Sequence, residues 1–280
     1  MSPILLHDFI VKEHVENALK EDIGFGDITT DCLVDSETVI EAKMNTRENG
    51  ILCGIDIVKQ VFKTLSNEIE IKTFFKDGDE IKKGDTIAII KGSARAVLIG
   101  ERTALNYIQR LSGIATETNK YQKAIGNNKA RITDTRKTTP NFRMFEKYAV
   151  SVGGARLHRF NLADCVMIKD NHIQFAGSIT NAVNKIRENL SHTHKIEVEC
   201  DTMEQVKEAL SVNADIIMLD NMSCDEMKKC VELIHGKALV EASGNVTIDT
   251  IEAIAQTGVD VISSSAIVAK AKTLDIALDM

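Results

Sequence analysis

Six short apolar runs, separated by segments with helical periodicity, follow Gly126 and most constrain the fold of this chain. The runs are Arg131–Thr135, Val166–Ile168, Ile196–Glu199, Ile216–Leu219, Leu239–Ala242 and Val259–Ser263. Buried parallel strands have this near-continuous hydrophobic pattern, and a helix usually joins each strand to its parallel neighbour. Because six strands are fewer than a closed β/α barrel requires, the pattern predicts an open, incomplete β/α barrel.

Helix-start signals between the runs support this interpretation. Ser178 precedes a segment with apolar residues at helical spacing. Asp201 with Glu204, and Ser223 with Glu226, have the spacing of a capping box. These signals predict helices that begin next to Ser178, Asp201 and Ser223.

The first hundred residues have a different pattern, with more strands and fewer helices. Helices are predicted at Phe9–Lys20, Ile55–Leu65 and Ala94–Leu111, and strands at Val39–Met44, Ile69–Phe74 and Thr86–Ile90. We therefore predict an α+β sandwich domain over residues 1–113, followed by the open barrel over residues 114–266. A C-terminal helix, residues 267–280, is expected to pack back on the N-terminal domain.

Composition and charge exclude several classes of protein. The net charge of −7 argues against a general nucleic-acid binder, which normally carries a basic excess. No apolar run reaches transmembrane length, and the N-terminus lacks the pattern of a signal peptide. The six cysteines form no CxxC pair and several lie in apolar runs, so we expect reduced core residues in a cytoplasmic protein.

Polar residues follow each predicted barrel strand. They are Arg136-Lys137, Lys169-Asp170-Asn171, Glu199, Asp220-Asn221, Ser243-Gly244-Asn245 and Ser263-Ser264-Ser265. The carboxyl ends of parallel strands meet at one rim, where β/α enzymes place their working groups. His158 and Arg159 lie in the segment before the second strand and would add to the cations that follow the strands. We therefore expect a rim with a cationic sector, a carboxylate sector and two loops of small residues.

Such a rim suits a ligand with several negative charges. Loops after the last barrel strands commonly bind a phosphate at helix N-termini. The carboxylates of Glu199 and Asp220 suit a divalent metal or vicinal hydroxyls. These features indicate phosphorylated-sugar chemistry, although Lys137 or Lys169 also fits the Schiff-base lysine of an aldolase.

Two features of the N-terminal half are open to more than one interpretation. The glycine- and acid-rich stretch from Glu21 to Thr30 is predicted to be a loop that is either functional or merely solvated. Arg102 projects from the apolar face of its predicted helix. It is either an arginine at the edge of the core or one aimed across an interface at an anion.

The chain resembles the quinolinate phosphoribosyltransferase family in a series of motifs that occur in order. They are EDIGFGDITTD, GERTALNYIQRLSGIAT, DTRKTTPNFRMFEKYAV, HRFNLADCVMIKDNH, IEVE, IIMLDN, EASGN and GVDVIS. The resemblance implies that quinolinate and phosphoribosyl pyrophosphate give nicotinate mononucleotide, pyrophosphate and carbon dioxide, with Mg²⁺. It also implies an N-terminal sandwich, an open barrel and a dimer in which Arg102 reaches the neighbouring active site.

The resemblance also implies roles for the rim residues. Cationic groups would hold the two carboxylates of quinolinate and nearby phosphate oxygens; they are Arg102, Arg136, His158, Arg159 and Lys169. Lys137, next to Thr135 and Arg136, would lie near the reacting centre and the pyrophosphate. Glu199 and Asp220 would contact ribose hydroxyls and Mg²⁺. The backbone of two loops would bind the 5′-phosphate; they are Ser243-Gly244-Asn245 and Ser264-Ser265-Ala266.

Three positions depart from the pattern of the family. Ala155 and Leu157 stand where a glycine and an asparagine are usual before the His-Arg pair, and Ser265 replaces a glycine of the last phosphate loop. Because Leu157 removes a polar group, another ring carboxylic acid is the alternative substrate. A phosphate-ligand sensor without catalysis is a further alternative, but it has no need of so many cations to stabilise a leaving group.

Overall fold

The computed structural model describes residues 4–280, which form two compact units. Unit 1 comprises the described residues up to Asn119, Thr139–Gly154 and Ala271–Met280, and unit 2 comprises Lys120–Thr138 and Ala155–Lys270. The division differs from the predicted boundary after residue 113, because residues 139–154 belong to unit 1. A partly buried ion pair connects this segment to the rest of unit 1, with Arg110 Nη2 lying 2.8 Å from Oε1 of Glu146.

Unit 1 is built on a four-stranded antiparallel sheet. Its strands are β1 (Val39–Thr46), β3 (Glu70–Thr73), β5 (Thr86–Ser93) and β12 (Ile276–Asp279), in the order β12-β1-β5-β3. Two shorter strands, β2 (Gly50–Ile51) and β4 (Glu80–Ile81), pair separately. In β1, Ala42, Met44 and Thr46 are buried at every second position, as expected for a strand with one face in the core.

Helices accompany this sheet. They are α1 (Asp8–Ile23), α2 (Ile28–Leu33), α3 (Ile55–Leu65), α5 (Arg143–Val152) and most of α4 (Ala94–Ile125). In α3, Val58, Val61 and Phe62 are fully buried, so the helix is amphipathic at the spacing predicted from the sequence. The unit therefore has the α+β composition that the sequence predicts.

Unit 2 contains a six-stranded parallel sheet. Its strands are β6 (Arg131–Thr133), β7 (Val166–Ile168), β8 (Ile196–Cys200), β9 (Ile216–Asp220), β10 (Leu239–Ser243) and β11 (Val261–Ser263), in the order β6-β11-β10-β9-β8-β7. Within residues 4–280, β6 and β7 at the two ends of this order do not pair with each other. The prediction of an open β/α barrel is therefore confirmed.

Helices alternate with these strands, as in other parallel β/α folds. They are α6 (Asp170–Ala176), α7 (Ile179–Arg187), α8 (Met203–Ser211), α9 (Cys224–Ile234), α10 (Ile251–Ala255) and α11 (Ala266–Ala269). Ser178 and Ser223 cap α7 and α9 as predicted. The capping box of α8 is formed by Thr202 and Gln205 instead of Asp201 and Glu204, one residue later than predicted.

Three other predicted elements differ in the structure. The stretch from Glu21 to Thr30 is partly helical: α2 begins at Ile28, because Asp27 accepts a hydrogen bond from the Thr30 backbone N–H at 3.1 Å. Helix α4 continues to Ile125 rather than ending at Leu111.

The predicted C-terminal helix over residues 267–280 is wrong. The segment forms the short helix α11 and the strand β12, which pairs antiparallel with β1 and places Leu278 opposite Met44. Ile276 and Leu278 are buried at alternate positions. The tail is thus part of unit 1 through an edge strand.

The register of the parallel sheet determines which side chains share a face. Met218 of β9 lies beside Glu199 of β8 and also beside Glu241 of β10. Because side chains alternate along a strand, Glu197 lies on the same face as Glu199. The same face therefore carries the partly exposed Glu199 near the carboxyl end of β8 and the buried Glu197 and Glu241.

Within residues 4–280, no helix is long and apolar enough to cross a membrane.

Candidate active site

The carboxyl ends of the six parallel strands bring most of the predicted residues of unit 2 to one edge of the sheet. Glu199 lies near the end of β8, Asp220 ends β9 and Ser243 ends β10. Lys169 follows β7 directly, and the half-buried Thr135 and Arg136 and the exposed Lys137 follow β6. In a parallel sheet, this placement is the usual one for binding and catalytic groups.

Lys169 and Glu199 form an ion pair at this edge. Their strands β7 and β8 are neighbours in the sheet, and Ile168 lies beside Val198 in the register. The Lys169 side chain is 41% exposed and that of Glu199 15% exposed. A cation of the predicted set therefore lies against a carboxylate of the predicted set, at a point that solvent or a ligand can reach.

The loops after β9 and β10 are joined by hydrogen bonds. The Asn221 backbone N–H donates to the carbonyl of Ser243 at 3.0 Å, and the Asn245 side-chain amide donates to Asn221 Oδ1, also at 3.0 Å. Asn221, Gly244 and Asn245 all have positive φ, at 53°, 91° and 49°. Glycine and asparagine tolerate this conformation better than other residues, which explains why they occupy the turns.

The loop after β11 is held in a similar way. Ser264 is 4% exposed, and its backbone N–H donates to the Thr133 carbonyl at 3.0 Å. The Ser264 hydroxyl accepts a hydrogen bond from the Ala266 N–H at 3.2 Å and lies 3.3 Å from the carbonyl of Val246. The half-buried Ser265 follows it. This loop is thus fixed to the strand β6 on one side and to the loop after β10 on the other.

A second polar cluster lies deeper along the same strands. The Nε2 atom of His158 is 3.3 Å from Oε1 of Glu241 and 3.6 Å from Oε1 of Glu197. The side chains are 11%, 4% and 1% exposed, respectively. Burial lowers the pKa of His158, but the two carboxylates outweigh burial and raise it to about 10. Burial also raises the pKa of Glu197, and His158 and Arg159 partly counteract this effect.

Sequence analysis did not identify Glu197 or Glu241 as site residues. Both lie inside apolar strands, two residues before the strand-end residues Glu199 and Ser243. The spacing of two residues from Glu199 and from Ser243 could have identified them, because residues two apart in a strand lie on the same face of the sheet. A carboxylate inside a buried strand requires a partner of opposite charge or a hydrogen-bond donor.

Arg102 belongs to unit 1, where it is an exposed residue of α4. It lines a cavity of about 290 Å³ together with Asp22 and Asp27 of the acid-rich stretch. This placement fits an arginine exposed at a surface better than an arginine at the edge of the core.

The carboxylates of the rim fit a magnesium ion in their chemistry. Glu199 and Asp220 are both partly exposed, and each supplies hard oxygen donors. Glu199 has Lys169 as a polar neighbour. Asp220 accepts a hydrogen bond from the Asn221 side-chain amide at 2.7 Å. A protein typically supplies one or two carboxylates to a magnesium ion, and water and substrate oxygens complete the coordination.

The fold and the rim together define an α/β enzyme scaffold for a substrate with several negative charges. Two family models match the chain: the quinolinate phosphoribosyl transferase N-terminal domain over residues 27–112 and the C-terminal domain over residues 114–279.

Curated relatives match over nearly the whole chain. A protein named probable nicotinate-nucleotide pyrophosphorylase [carboxylating] from Synechocystis is 43% identical over 97% of this chain and 92% of its own length. A protein of the same name from Bacillus subtilis is 42% identical over 96% of this chain and 93% of its own length.

Solved structures share the fold. NadC from Streptococcus pyogenes superposes with a TM-score of 0.96 at 38% identity, covering 99% of this chain and 98% of that one. Nicotinate-nucleotide pyrophosphorylase from Ehrlichia chaffeensis superposes with a TM-score of 0.93 at 43% identity, covering 99% of both chains. The chain described here belongs to the quinolinate phosphoribosyl transferase family.

A glycine substitution tests the packing of the loops after β9 and β10. A Cβ atom at Gly244 would lie 2.2 Å from Oδ1 and 2.8 Å from the backbone N of Asn221, so Gly244→Ala forces these loops apart. The cost of positive φ and the clash together should lower the free energy of unfolding by about 3 kcal/mol. Chemical denaturation measures this change.

Gly236→Ala is the matched control. Gly236 also has positive φ, 76°, but a Cβ atom there meets nothing within 4 Å. Only the backbone cost of about 1 kcal/mol is expected. Equal destabilisation by the two substitutions would contradict the described contact between the loops.

Proposed function

We propose that this protein transfers the phosphoribosyl group of 5-phosphoribosyl 1-pyrophosphate to quinolinate with decarboxylation. The products are nicotinate mononucleotide, pyrophosphate and carbon dioxide, and the reaction is a step of NAD biosynthesis. The observation that carries the proposal is the match of both family domains, in order, over residues 27–112 and 114–279. The charges at the rim of unit 2 support it, because both substrates are polyanions.

The cations of the rim are proposed to bind the carboxylates of quinolinate. Arg136 and Arg159 are suited to this task, because a guanidinium offers paired N–H groups to a planar carboxylate. Lys169 would contribute a third positive charge, and its ion pair with Glu199 keeps that charge in place before the substrate binds. Lys137 would lie near the diphosphate of the donor.

The two interlocked loops are proposed to bind the 5′-phosphate. Ser243, Gly244 and Asn245 follow β10, and Ser264, Ser265 and Ala266 follow β11. Their turns are fixed by hydrogen bonds to neighbouring loops and strands, so backbone N–H groups are held in place before the phosphate arrives. A preorganised set of donors binds an anion more tightly than a mobile set.

The proposed mechanism needs no covalent bond to the protein. The ribosyl carbon acquires oxocarbenium character as the diphosphate departs, and the quinolinate nitrogen then forms the new bond to that carbon. Lysine and arginine side chains stabilise the negative charge on the leaving group. The positive ring nitrogen stabilises the carbanion left at C2 when the 2-carboxylate departs as carbon dioxide, and a proton from solvent then binds C2 to give nicotinate mononucleotide.

Glu199 and Asp220 are proposed to contact ribose hydroxyls and to hold Mg²⁺. Bound there, the ion would neutralise charge on the diphosphate. The partial exposure of both carboxylates supports this assignment, because a magnesium ion keeps several water or substrate ligands.

We further propose a cytoplasmic homodimer in which Arg102 of one chain completes the site of the other. The exposed position of Arg102 on α4 supports the second statement. The free thiols of all six cysteines support a reducing compartment.

A coupled assay tests the proposed reaction. Purified protein is mixed with quinolinate, phosphoribosyl pyrophosphate and Mg²⁺, and nicotinate mononucleotide and carbon dioxide are followed together. Both products should appear in equal amounts, because decarboxylation follows each transfer. Release of pyrophosphate with another ring carboxylic acid, and none with quinolinate, would contradict the substrate and point to Leu157 and Ala155 as the changed positions.

Mixing two inactive variants tests the sharing of sites in the dimer. Arg102→Ala and Lys169→Ala should each be inactive alone, because each lacks a cation of the site. In a mixed dimer, one of the two sites receives Arg102 from one chain and Lys169 from the other. An equimolar, fully exchanged mixture should therefore recover about a quarter of wild-type activity.

Native mass spectrometry of the same mixture shows whether mixed dimers have formed. If they are present and the mixture stays inactive, Arg102 does not serve the neighbouring site. A mixture of Lys169→Ala with Lys137→Ala is the control, because both residues belong to the same rim and no site is restored.

A further inference from the structure

The helix α6, which follows β7 at the rim, has a lysine at the position that normally caps a helix. The residue before its first turn is Lys169, the cation that pairs with Glu199. Serine, threonine, aspartate and asparagine are preferred there, because their side chains accept a backbone N–H of the first turn. An ammonium group has no acceptor. The side chain of Lys169 serves the rim, so another group has to fix the start of the helix.

The exposed His172 supplies this contact from the third position of α6. Its Nδ1 atom accepts the backbone N–H of Lys169 at 3.0 Å. In a capping box, a glutamate or glutamine at the third position accepts the same N–H. Because an N–H donates only to an unprotonated ring nitrogen, Nδ1 is the unprotonated nitrogen in this geometry. The imidazole thus forms the half of a capping box that a lysine before the helix still allows.

Packing contributes little to the stability of α6. The helix has seven residues, and none of them is buried. A helix of this length is marginal without packing, so the contacts at its ends decide whether its first turn forms. At the other end, the Gly177 N–H donates to the Ile173 carbonyl at 2.8 Å. Loss of the His172 contact would therefore loosen the first turn locally and leave the sheet folded.

The backbone of Lys169 sets the direction in which its side chain leaves the chain. With φ −122° and ψ 173°, the residue is extended and continues the course of β7. Since Ile168 lies beside Val198 of β8, the next side chain along β7 reaches Glu199. Fraying of the first turn would free the φ and ψ angles of Lys169, and its ammonium would move away from Glu199. The hydrogen bond to His172 therefore restrains a cation of the rim.

We propose that His172 is a positioning residue for Lys169, and that it holds the Lys169 backbone so that the ammonium stays at the rim. The inference rests on the proposed function, in which Lys169 binds a carboxylate of quinolinate. It assigns a task to a histidine that sequence analysis found only as part of the motif HRFNLADCVMIKDNH. The imidazole acts through Lys169 and does not itself bind the substrate.

Amide hydrogen exchange, followed by NMR, tests the contact and does not depend on activity. The Lys169 N–H should exchange at least about tenfold faster in His172→Leu than in the wild type, because its acceptor is lost. In His172→Gln the rate should stay within about threefold of the wild-type rate, because glutamine accepts from the same position. The midpoint of chemical unfolding should be equal in all three proteins, since α6 buries no residue. Equal exchange in the wild type and His172→Leu would overturn the proposal.

Steady-state kinetics of the same variants are the second test. His172→Leu should raise the KM for quinolinate about fivefold, because the loss of a cap leaves a binding cation less well placed. The KM for phosphoribosyl pyrophosphate should change less than about twofold. His172→Gln should keep both constants, whereas a direct role of the imidazole predicts that glutamine fails as leucine does. His192→Leu, at an exposed histidine in the loop before β8, is the control and should change neither constant. An unchanged KM for quinolinate in His172→Leu contradicts the proposal, and so does a raised one in His172→Gln.

A double-mutant cycle separates positioning of Lys169 from a general effect on the structure. Calorimetry measures the Kd for quinolinate, because Lys169→Ala is not expected to turn over. His172→Leu should raise this Kd about fivefold in the wild-type background and less than about twofold in Lys169→Ala, where the group that it positions is absent. Equal increases in the two backgrounds would show that His172 does not act through Lys169. A wild-type protein that neither binds nor converts quinolinate would instead overturn the proposed function, and the exchange of the Lys169 N–H would still decide whether His172 holds that backbone.

Discussion

The parallel register of the six strands in unit 2 is the constraint on which the candidate site depends. Parallel strands end at the same edge, so residues far apart in sequence, such as Lys169 and Asp220, reach one rim. Period-two alternation along each strand repeats the arrangement one level deeper, where Glu197 and Glu241 lie. The sheet therefore supplies two levels of polar side chains, one at the rim and one enclosed below it.

The charged groups of these two levels differ in their exposure to solvent. At the rim, partly exposed groups such as Lys169 and Glu199 pair with each other and stay accessible to a ligand. Below the rim, burial makes an unpaired carboxylate costly, and Glu197 and Glu241 lie 3.6 and 3.3 Å from the Nε2 atom of His158.

The sequence predicted the barrel strands and most of the rim, because both produce strong local signals. Buried parallel strands are continuous apolar runs, and their ends are marked by polar residues. The C-terminal tail was predicted wrongly as a helix, since its strand character arises from pairing with β1, far away in sequence. Glu197 was missed for a related reason: its partner His158 is brought to it by the loop before β7, which no local pattern describes.

The proposed reaction depends on cations at the carboxyl edge of the sheet in unit 2. Comparing alanine substitutions of two lysines, one at each edge of the sheet, tests this dependence most directly. Lys137 follows β6 at the rim, whereas the exposed Lys237 precedes β10 at the opposite edge of the sheet. Single-turnover rates of pyrophosphate release should fall at least about a hundredfold in Lys137→Ala, because a charge on the leaving group loses its partner. Lys237→Ala should keep the wild-type rate. Equal rates in the two variants would contradict the assignment of the rim as the active site.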